Sequence, residues 1–399
     1  MPEALRIGLL THSVNPRGGV VHTLELARAL HTLGHHVTVF APAQAGQCFF
    51  RPVPHEADLV PVGPAPASLA DLVADRIGAF VAHLGRRLRH DRFDILHAHD
   101  GIGGNALADL VDAGVIEGFV RTVHHLDPFD DARLVAWQTR SVLRAQQVLC
   151  VSPGWCQTLE RDFGIGAALV ANGVDCERFG RAPDARDAAL AQRLGLRSGA
   201  PLFLAVGGIE ARKNSVRMLE AFLQVRAVLP GAQLVVAGGA SLLDHGDCAR
   251  AFDALAASAG LAPGPGHALV LAGPLPDADM PALFRLADAL LMPSLREGFG
   301  LVVLEALASG TPVVVSRCAP FTEYLGDSVA AGHALHADPL DAASIARAMR
   351  RAIEPARAAA LALAVPPVCR RYSWAASAQR HVALYRAQRA LARAAVPAH

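Results

Sequence analysis

The chain has 399 residues, too many for one ordinary core and enough for two domains. Its 37 Lys and Arg balance 36 Asp and Glu, and the resulting +1 excludes a protein held to nucleic acid by phosphate neutralisation alone. Hydrophobic residues reach 52%, which supplies two cores, yet no run of 18 uncharged apolar residues offers a membrane span.

The pattern alternates short β-branched runs with amphipathic stretches, the mark of an α/β fold with parallel sheets. Arg6–Thr11 reads as the first strand, followed by a turn at Asn15–Gly19 and a helix from Val20 to Leu33 that Gly34 stops. His36–Ala41 is the second strand, and Gln47–Pro66 is Pro-rich without a period and reads as irregular. Strand-like runs follow at Phe93–His97, Phe119–His124 and Gln147–Val151. Cys176–Ala200 is polar and reads as a linker with a surface helix. A second cycle then opens with the strand Pro201–Val206, a glycine turn and a helix over Ser215–Leu229. Its further strands are expected at Gln233–Ala237, Ala268–Ala272, Ala289–Met292 and Pro312–Ser316. The expected domains are 1–176 and 177–376, with a C-terminal helix over 377–399 that packs back on the first. Open parallel sheets bind ligands at the carboxyl ends of their strands, so a cleft between the halves is the expected site.

Seven cysteines, odd in number, scattered and lacking any Cys-x-x-Cys pair, predict neither a zinc knuckle nor a disulfide framework. With an N-terminus that lacks the basic start and apolar run of a secretory signal, a reduced cytoplasmic protein is expected. All basic residues but one are Arg; the exception is Lys213.

That lysine lies in Gly207-Gly208-Ile209-Glu210-Ala211-Arg212-Lys213-Asn214, directly after a predicted strand. Glycines there let backbone N–H groups approach an anion, the following helix adds its positive end, and Arg212 and Lys213 suit a diphosphate. The same residues also read as a plain strand–turn–helix connection with two solvated cations. A second segment, Pro293 to Leu307, sets a glycine-punctuated loop at the start of an apolar helix. Glu305 has nearly all apolar neighbours in that helix, and a carboxylate so placed needs a partner, either ribose hydroxyls or an Arg. Glu297 lies in the loop, ahead of the backbone N–H groups of Phe299, Gly300 and Leu301.

Glu297 and Glu305, separated by seven residues, resemble the Glu-x7-Glu signature of retaining glycosyltransferases of family 4, which have the GT-B architecture. The resemblance extends along the chain through Gly18-Gly19-Val20 with His22, Gly34 to Phe40, Asp94 to Asp100, Val151-Ser152, Asn172 to Asp175 and Tyr372-Ser373-Trp374. It implies two Rossmann-like α/β domains facing each other across a cleft, an acceptor side first and a nucleotide-sugar side second. By the same resemblance Glu297 contacts the donor sugar and Phe299, Gly300 and Leu301 offer amides to sugar and phosphate. Glu305 holds the ribose, and Lys213 neutralises the diphosphate opposite Gly19. His124 lies against the donor sugar, Gly18 and His99 belong to the acceptor side, and backbone near Leu275 contacts the base. The family commonly has Gly-Arg where this chain has Gly207-Gly208, so Arg212 is the expected substitute at Gly208.

The implied reaction moves a sugar from a nucleotide-diphosphate sugar, of UDP or GDP type, to an unidentified acceptor with no cofactor and no metal. Asp277-Ala278-Asp279 resembles a metal-binding pair of another glycosyltransferase fold but is expected to start a helix, with Asp277 as its cap. Four other readings compete. His97-Ala98-His99 with His124-His125 resembles the metal motif of zinc amidohydrolases, which are (β/α)8 barrels. A nucleotide-sugar epimerase of GT-B fold would need no acceptor, and a sugar-binding protein would have no turnover. A phosphorylase reading fails on the lysine count, because it needs a Schiff-base lysine deep in the second domain and the lone Lys213 lies in that domain's first turn. Finally, Arg76, Arg86, Arg87, Arg89 and Arg92 accompany Ile77, Phe80, Val81 and Leu84, a pattern that reads first as a solvated helix face and second as weak peripheral contact with an anionic inner membrane face.

Overall fold

The computed structural model describes residues 3–239, 245–326, 334–356, 367 and 369–395. The chain divides into two compact units, Met1–Gly173 with Trp374–His399, and Val174–Ser373.

In the first unit seven parallel strands are β1 (Arg6–Leu10), β2 (His36–Ala43), β3 (Glu56–Pro61), β4 (Ile95–Ala98), β5 (Val120–Val123), β6 (Gln147–Cys150) and β7 (Ala168–Leu169). They lie in the order β3-β2-β1-β4-β5-β6-β7, so the direction of winding reverses between β1 and β4. Ile7 pairs with Val37 on one side and Ile95 on the other, and all three are buried, as a strand covered on both faces requires. Helix starts are specified locally: Ser68 Oγ accepts from Asp71 N, and Asp100 accepts from Gly103 N at 2.7 Å. The helix Trp374–Ala395 belongs to this unit, beginning three residues earlier than expected; 396–399 lie outside the described residues.

In the second unit six parallel strands are β8 (Leu202–Val206), β9 (Gln233–Ala237), β10 (Leu269–Gly273), β11 (Ala289–Met292), β12 (Val313–Ser316) and β13 (Ala334–Ala337), ordered β10-β9-β8-β11-β12-β13. The winding reverses between β8 and β11, the counterpart of the β1/β4 position. Phe203, Phe222 and Phe252 are fully buried in its core, each contributing about 1.5–3 kcal/mol by leaving water. Both units are therefore Rossmann-like α/β, and no barrel occurs among the described residues, which removes the zinc-amidohydrolase architecture.

Three strands were not expected from the sequence: β3, inside the stretch read as irregular, β7 and β13. A disulfide was not expected either, yet Cys176 and Cys369 are bonded, with Cα atoms 6.2 Å apart across 193 residues of sequence. The pairing arises because the chain enters the second unit beside the point where it leaves: Val174 N donates to Tyr372 O at 2.8 Å, and Val174 bridges Ser373. Asp277 does not cap a helix. It opens a single 3-10 turn ahead of the helix Met280–Leu286 and pairs with Arg178 at 2.8 Å, while Asp279 pairs with Arg193. The basic stretch lies mostly on the helix Leu69–Arg87, whose Ile77, Phe80 and Leu84 are buried in the first core. Arg76 is itself buried and reaches Gly63 O, and Arg87 pairs with Glu56 and Asp91, while Val81 of the same pattern is only partly buried. No helix among the described residues is long and apolar enough to cross a membrane.

Candidate active site

The charged site of the second unit forms where β8 and β11 end. Gly207 leaves β8 at φ 131°, in the region that favours glycine, and its N–H donates to Ala237 O. A Cβ on Gly238, at the end of β9, would come within 2.9 Å of the Gly207 backbone, so this crossing admits no side chain. The turn that follows is held by Asn214, itself at φ 60°, whose Nδ2 donates to Pro293 O at 3.0 Å and Pro339 O at 2.6 Å. Leu295 N donates to Arg212 O at 2.9 Å. The loops after β8 and β11 are thus bound into one surface.

On it, Lys213 Nζ donates to Glu297 Oε2 at 2.7 Å, and Arg212 reaches both oxygens of Glu297 at 3.3 and 3.2 Å. Ser294 Oγ adds a contact to Glu297 Oε2 at 3.3 Å. Arg212 also pairs at 3.0 Å with Glu210, a carboxylate only 3% exposed that sequence reasoning gave no role. Two cations therefore share two carboxylates, in charge-assisted hydrogen bonds roughly twice as strong as neutral ones. Gly208 lines the same recess as Lys213, between Val206, Ser215 and Met292.

Gly300, at φ 85°, opens the helix Leu301–Ala308; a Cβ there would lie 2.8 Å from the Phe321 ring. Phe299 is buried and stacks on Tyr324 at 4.7 Å, fixing the loop from behind. Burial, with the nearby Glu297 carboxylate, holds the Tyr324 hydroxyl well above its ordinary pKa, so it stays protonated. Glu305 is half-buried rather than sunk among its apolar neighbours: Val303, Leu304, Ala306 and Leu307 take the core face and Glu305 the other. Leu275 lies in the loop after β10, at the same strand-end side as the Lys213–Glu297 group.

The first unit presents a different site. His22 from the helix Gly18–Thr32, His99 after β4 and His124 after β5 bring their rings together, with centroids 4.5 Å apart for His22–His124 and 5.0 Å for His22–His99. His22 is 1% and His99 3% exposed. Gly19 packs beside this group, since a Cβ on it would lie 3.8 Å from His124 Cδ2, while Gly18 is open. Burial lowers the His22 pKa to about 3, and holds His99 and His124 well below the usual range with help from neighbouring rings. These imidazoles are neutral at pH 7.

This group has three partners, of which Asn172 falls in a motif of the resemblance while Tyr385 and His381 carry no sequence signal. Asn172 Oδ1 accepts from His22 Nδ1 at 2.9 Å, Tyr385 Oη pairs with His97 Nδ1 at 2.7 Å, and His381 packs against both His22 and His97. His97 Nε2 is taken by Thr122 Oγ1 at 2.8 Å, so His97 and His99 do not act as a ligand pair.

Residues 16–178 match the family model described as Glycosyltransferase Family 4, and 187–362 that of Glycosyl transferases group 1. The D-inositol 3-phosphate glycosyltransferase of Frankia alni is 30% identical over 368 residues, 81% of this chain and 85% of its own. The phosphatidyl-myo-inositol mannosyltransferase of Mycobacterium tuberculosis is 29% identical over 395 residues, 96% of each chain. Among solved structures, sucrose-phosphate synthase from Thermosynechococcus elongatus superposes with a TM-score of 0.79 at 21% identity, over 96% of this chain and 99% of that one. Anabaena HepE in complex with UDP-glucose superposes with 0.74 at 17%, over 96% and 100%. Both share the fold.

Proposed function

The chain belongs to glycosyltransferase family 4, and on that premise we propose that it moves a sugar from a nucleotide-diphosphate sugar to a hydroxyl acceptor, with retention and without a metal at the reacting carbon. The observation that carries this reading is the convergence of Lys213 and Arg212 on Glu297 at the end of β8. A donor diphosphate would draw Lys213 and Arg212 to its oxygens, leaving the Glu297 carboxylate to accept from sugar hydroxyls. The amides of Phe299, Gly300 and Leu301 at a helix start would face the same ligand, and Glu305 the ribose.

As the bond from the anomeric carbon to phosphate oxygen breaks, its electron pair goes to the diphosphate. Fixed cations and amide dipoles lower that charge, and one such donor is worth about 2.7–4 kcal/mol. The acceptor oxygen bonds to the anomeric carbon from the face the diphosphate leaves, and its proton passes to the departing phosphate oxygen. His124, neutral, hydrogen-bonds the donor sugar and carries no charge to oppose the cationic carbon.

The donor base is of UDP or GDP type, and the HepE complex with UDP-glucose favours offering UDP-sugars first. The acceptors that the relatives' names print, inositol 3-phosphate and phosphatidyl-myo-inositol, are the first hydroxyl compounds to offer. Thermal-shift screening against UDP-, GDP- and ADP-sugars, then mass spectrometry of products, tests the reading. A rise in melting temperature with one base and a new glycoside are expected. No shift with any nucleotide would overturn it.

A further inference from the structure

Resting on the transferase reading, we infer that Glu210 is a positioning residue: its buried carboxylate keeps Arg212 aimed at the donor diphosphate once Glu297 has turned to the sugar. The two cations of the cradle are not held alike. Lys213 Nζ donates to Glu297 Oε2 and touches Met292 Sδ at 3.8 Å, and it has no second carboxylate among the described residues. Arg212 bonds two carboxylates through different nitrogens, Nη1 to Glu297 and Nη2 to Glu210 Oε2 at 3.0 Å. A ligand that draws off Glu297 therefore releases Lys213, whereas Arg212 stays tethered at one edge.

Glu210 is built to be that tether. Its Oε2 faces Arg212, and its Oε1 faces His245 Nε2 at 3.8 Å, from the residue just before the helix Gly246–Ser258. Its main chain is fixed as firmly: the N–H donates to Ser215 Oγ at 3.1 Å, and the carbonyl accepts from Lys213 N at 3.1 Å and Ser215 Oγ at 3.3 Å. One residue thus shapes the turn that carries Lys213 with its backbone and sets the direction of Arg212 with its side chain.

Charge and position pull in opposite directions here. Glu210 subtracts one charge from a cradle that faces an anion, so by charge alone its removal would tighten diphosphate binding. By position its removal would weaken binding, because the long arginine stem would then lose its rotamer freedom at the moment the ligand arrives. Position prevails because Glu210 lies behind Arg212: its side chain is 4% exposed against 31%, so its charge meets the ligand only across the guanidinium.

The test uses the full chain, with UDP and GDP as probes in titration calorimetry. Glu210→Gln should weaken the nucleotide that binds about tenfold, the worth of one side chain left to be ordered by the ligand. The loss should vanish on an Arg212→Ala background and persist on Lys213→Ala, as expected of a residue that acts through Arg212 alone. Glu210→Asp keeps the charge but draws it back by one methylene, and it should weaken binding too; it also decides should Glu210→Gln fail to fold. Unchanged or tighter binding in these variants, or an equal loss with and without Arg212, would overturn the role. A second measurement needs no nucleotide. In Glu297→Gln the Arg212 Nε–H should stay ordered in nitrogen-15 relaxation, and in Glu210→Gln/Glu297→Gln it should become mobile; equal order in both would also overturn the role. If the wild-type chain binds neither UDP nor GDP, the transferase reading fails, and the relaxation result still decides whether Glu210 holds Arg212.

Discussion

The two units share a winding order and differ in what they place at its reversal. At the β1/β4 end, the first gathers uncharged rings, His22, His99 and His124, with the buried Arg121 at their edge. At the β8/β11 end, the second gathers ions, with Arg212 and Lys213 shared between Glu210 and Glu297. One backbone plan thus supports a buried cluster of neutral rings and a charged cradle. Topology chooses where a site lies, and a handful of side chains chooses its chemistry.

Acid should separate them most strongly. Burial holds His22 at about 3 and His381 at about 4, against 6.5 for a free imidazole. Between those values the unfolded chain binds protons that the folded unit refuses. The stability present above about pH 6.5 is therefore lost as pH falls toward 3, by several kcal/mol in all. Circular-dichroism melts from pH 7 to 4 should show this fall, and His381→Phe should make it shallower. An unchanged slope in that variant would break the comparison.

Next in size is Lys213→Ala, which should lower kcat about 10²–10³-fold, as removing one fixed donor to a developing anion does. Lys213→Arg should recover only part, because a planar fork replaces a compact ammonium 2.7 Å from Glu297. Equal turnover in the arginine variant would mean that charge alone matters in the cradle.

The units also secure their chain ends differently. Reducing Cys176–Cys369, or replacing either with Ser, should cost the second unit about 2–4 kcal/mol in denaturant melts. In the first unit the last helix is tied through Tyr385 to His97, and Tyr385→Phe should cost about 1–3 kcal/mol by leaving His97 Nδ1 unpaired. If reduction changes nothing while Tyr385→Phe unfolds the first unit, the staple is incidental and the noncovalent tie dominates.

What the sequence discloses follows the same division. Gln233–Ala237 and Ala289–Met292 are legible to the residue because strands buried on both faces read as unbroken apolar runs. β3 escapes because an edge strand needs no such run: its Glu56 and Asp58 pair with Arg87 and His83, and prolines flank it. β7, with two residues, and β13, interrupted by His336, are too short for a period. In the charged cradle, glycines after a strand mark Lys213 and Glu297 locally. In the imidazole cluster the motifs mark His22, His97, His99, His124 and Asn172 one by one but not their meeting, since His22 meets Asn172 across 150 positions and His97 meets Tyr385 across 288. The disulfide hides for the same reason, while the unused cysteines around it are noise.

The helix Trp374–Ala395 has a consequence for the order of synthesis. The second unit is one uninterrupted segment, Val174–Ser373, whereas the first needs a helix translated after all of it. As the chain emerges, the second unit is complete while the first still lacks His381 and Tyr385, so His97 waits with an open partner. Nascent proteins commonly fold from the N-terminus onward. Here the later unit is complete in one segment, and the earlier one closes only once the helix that follows that segment is in place.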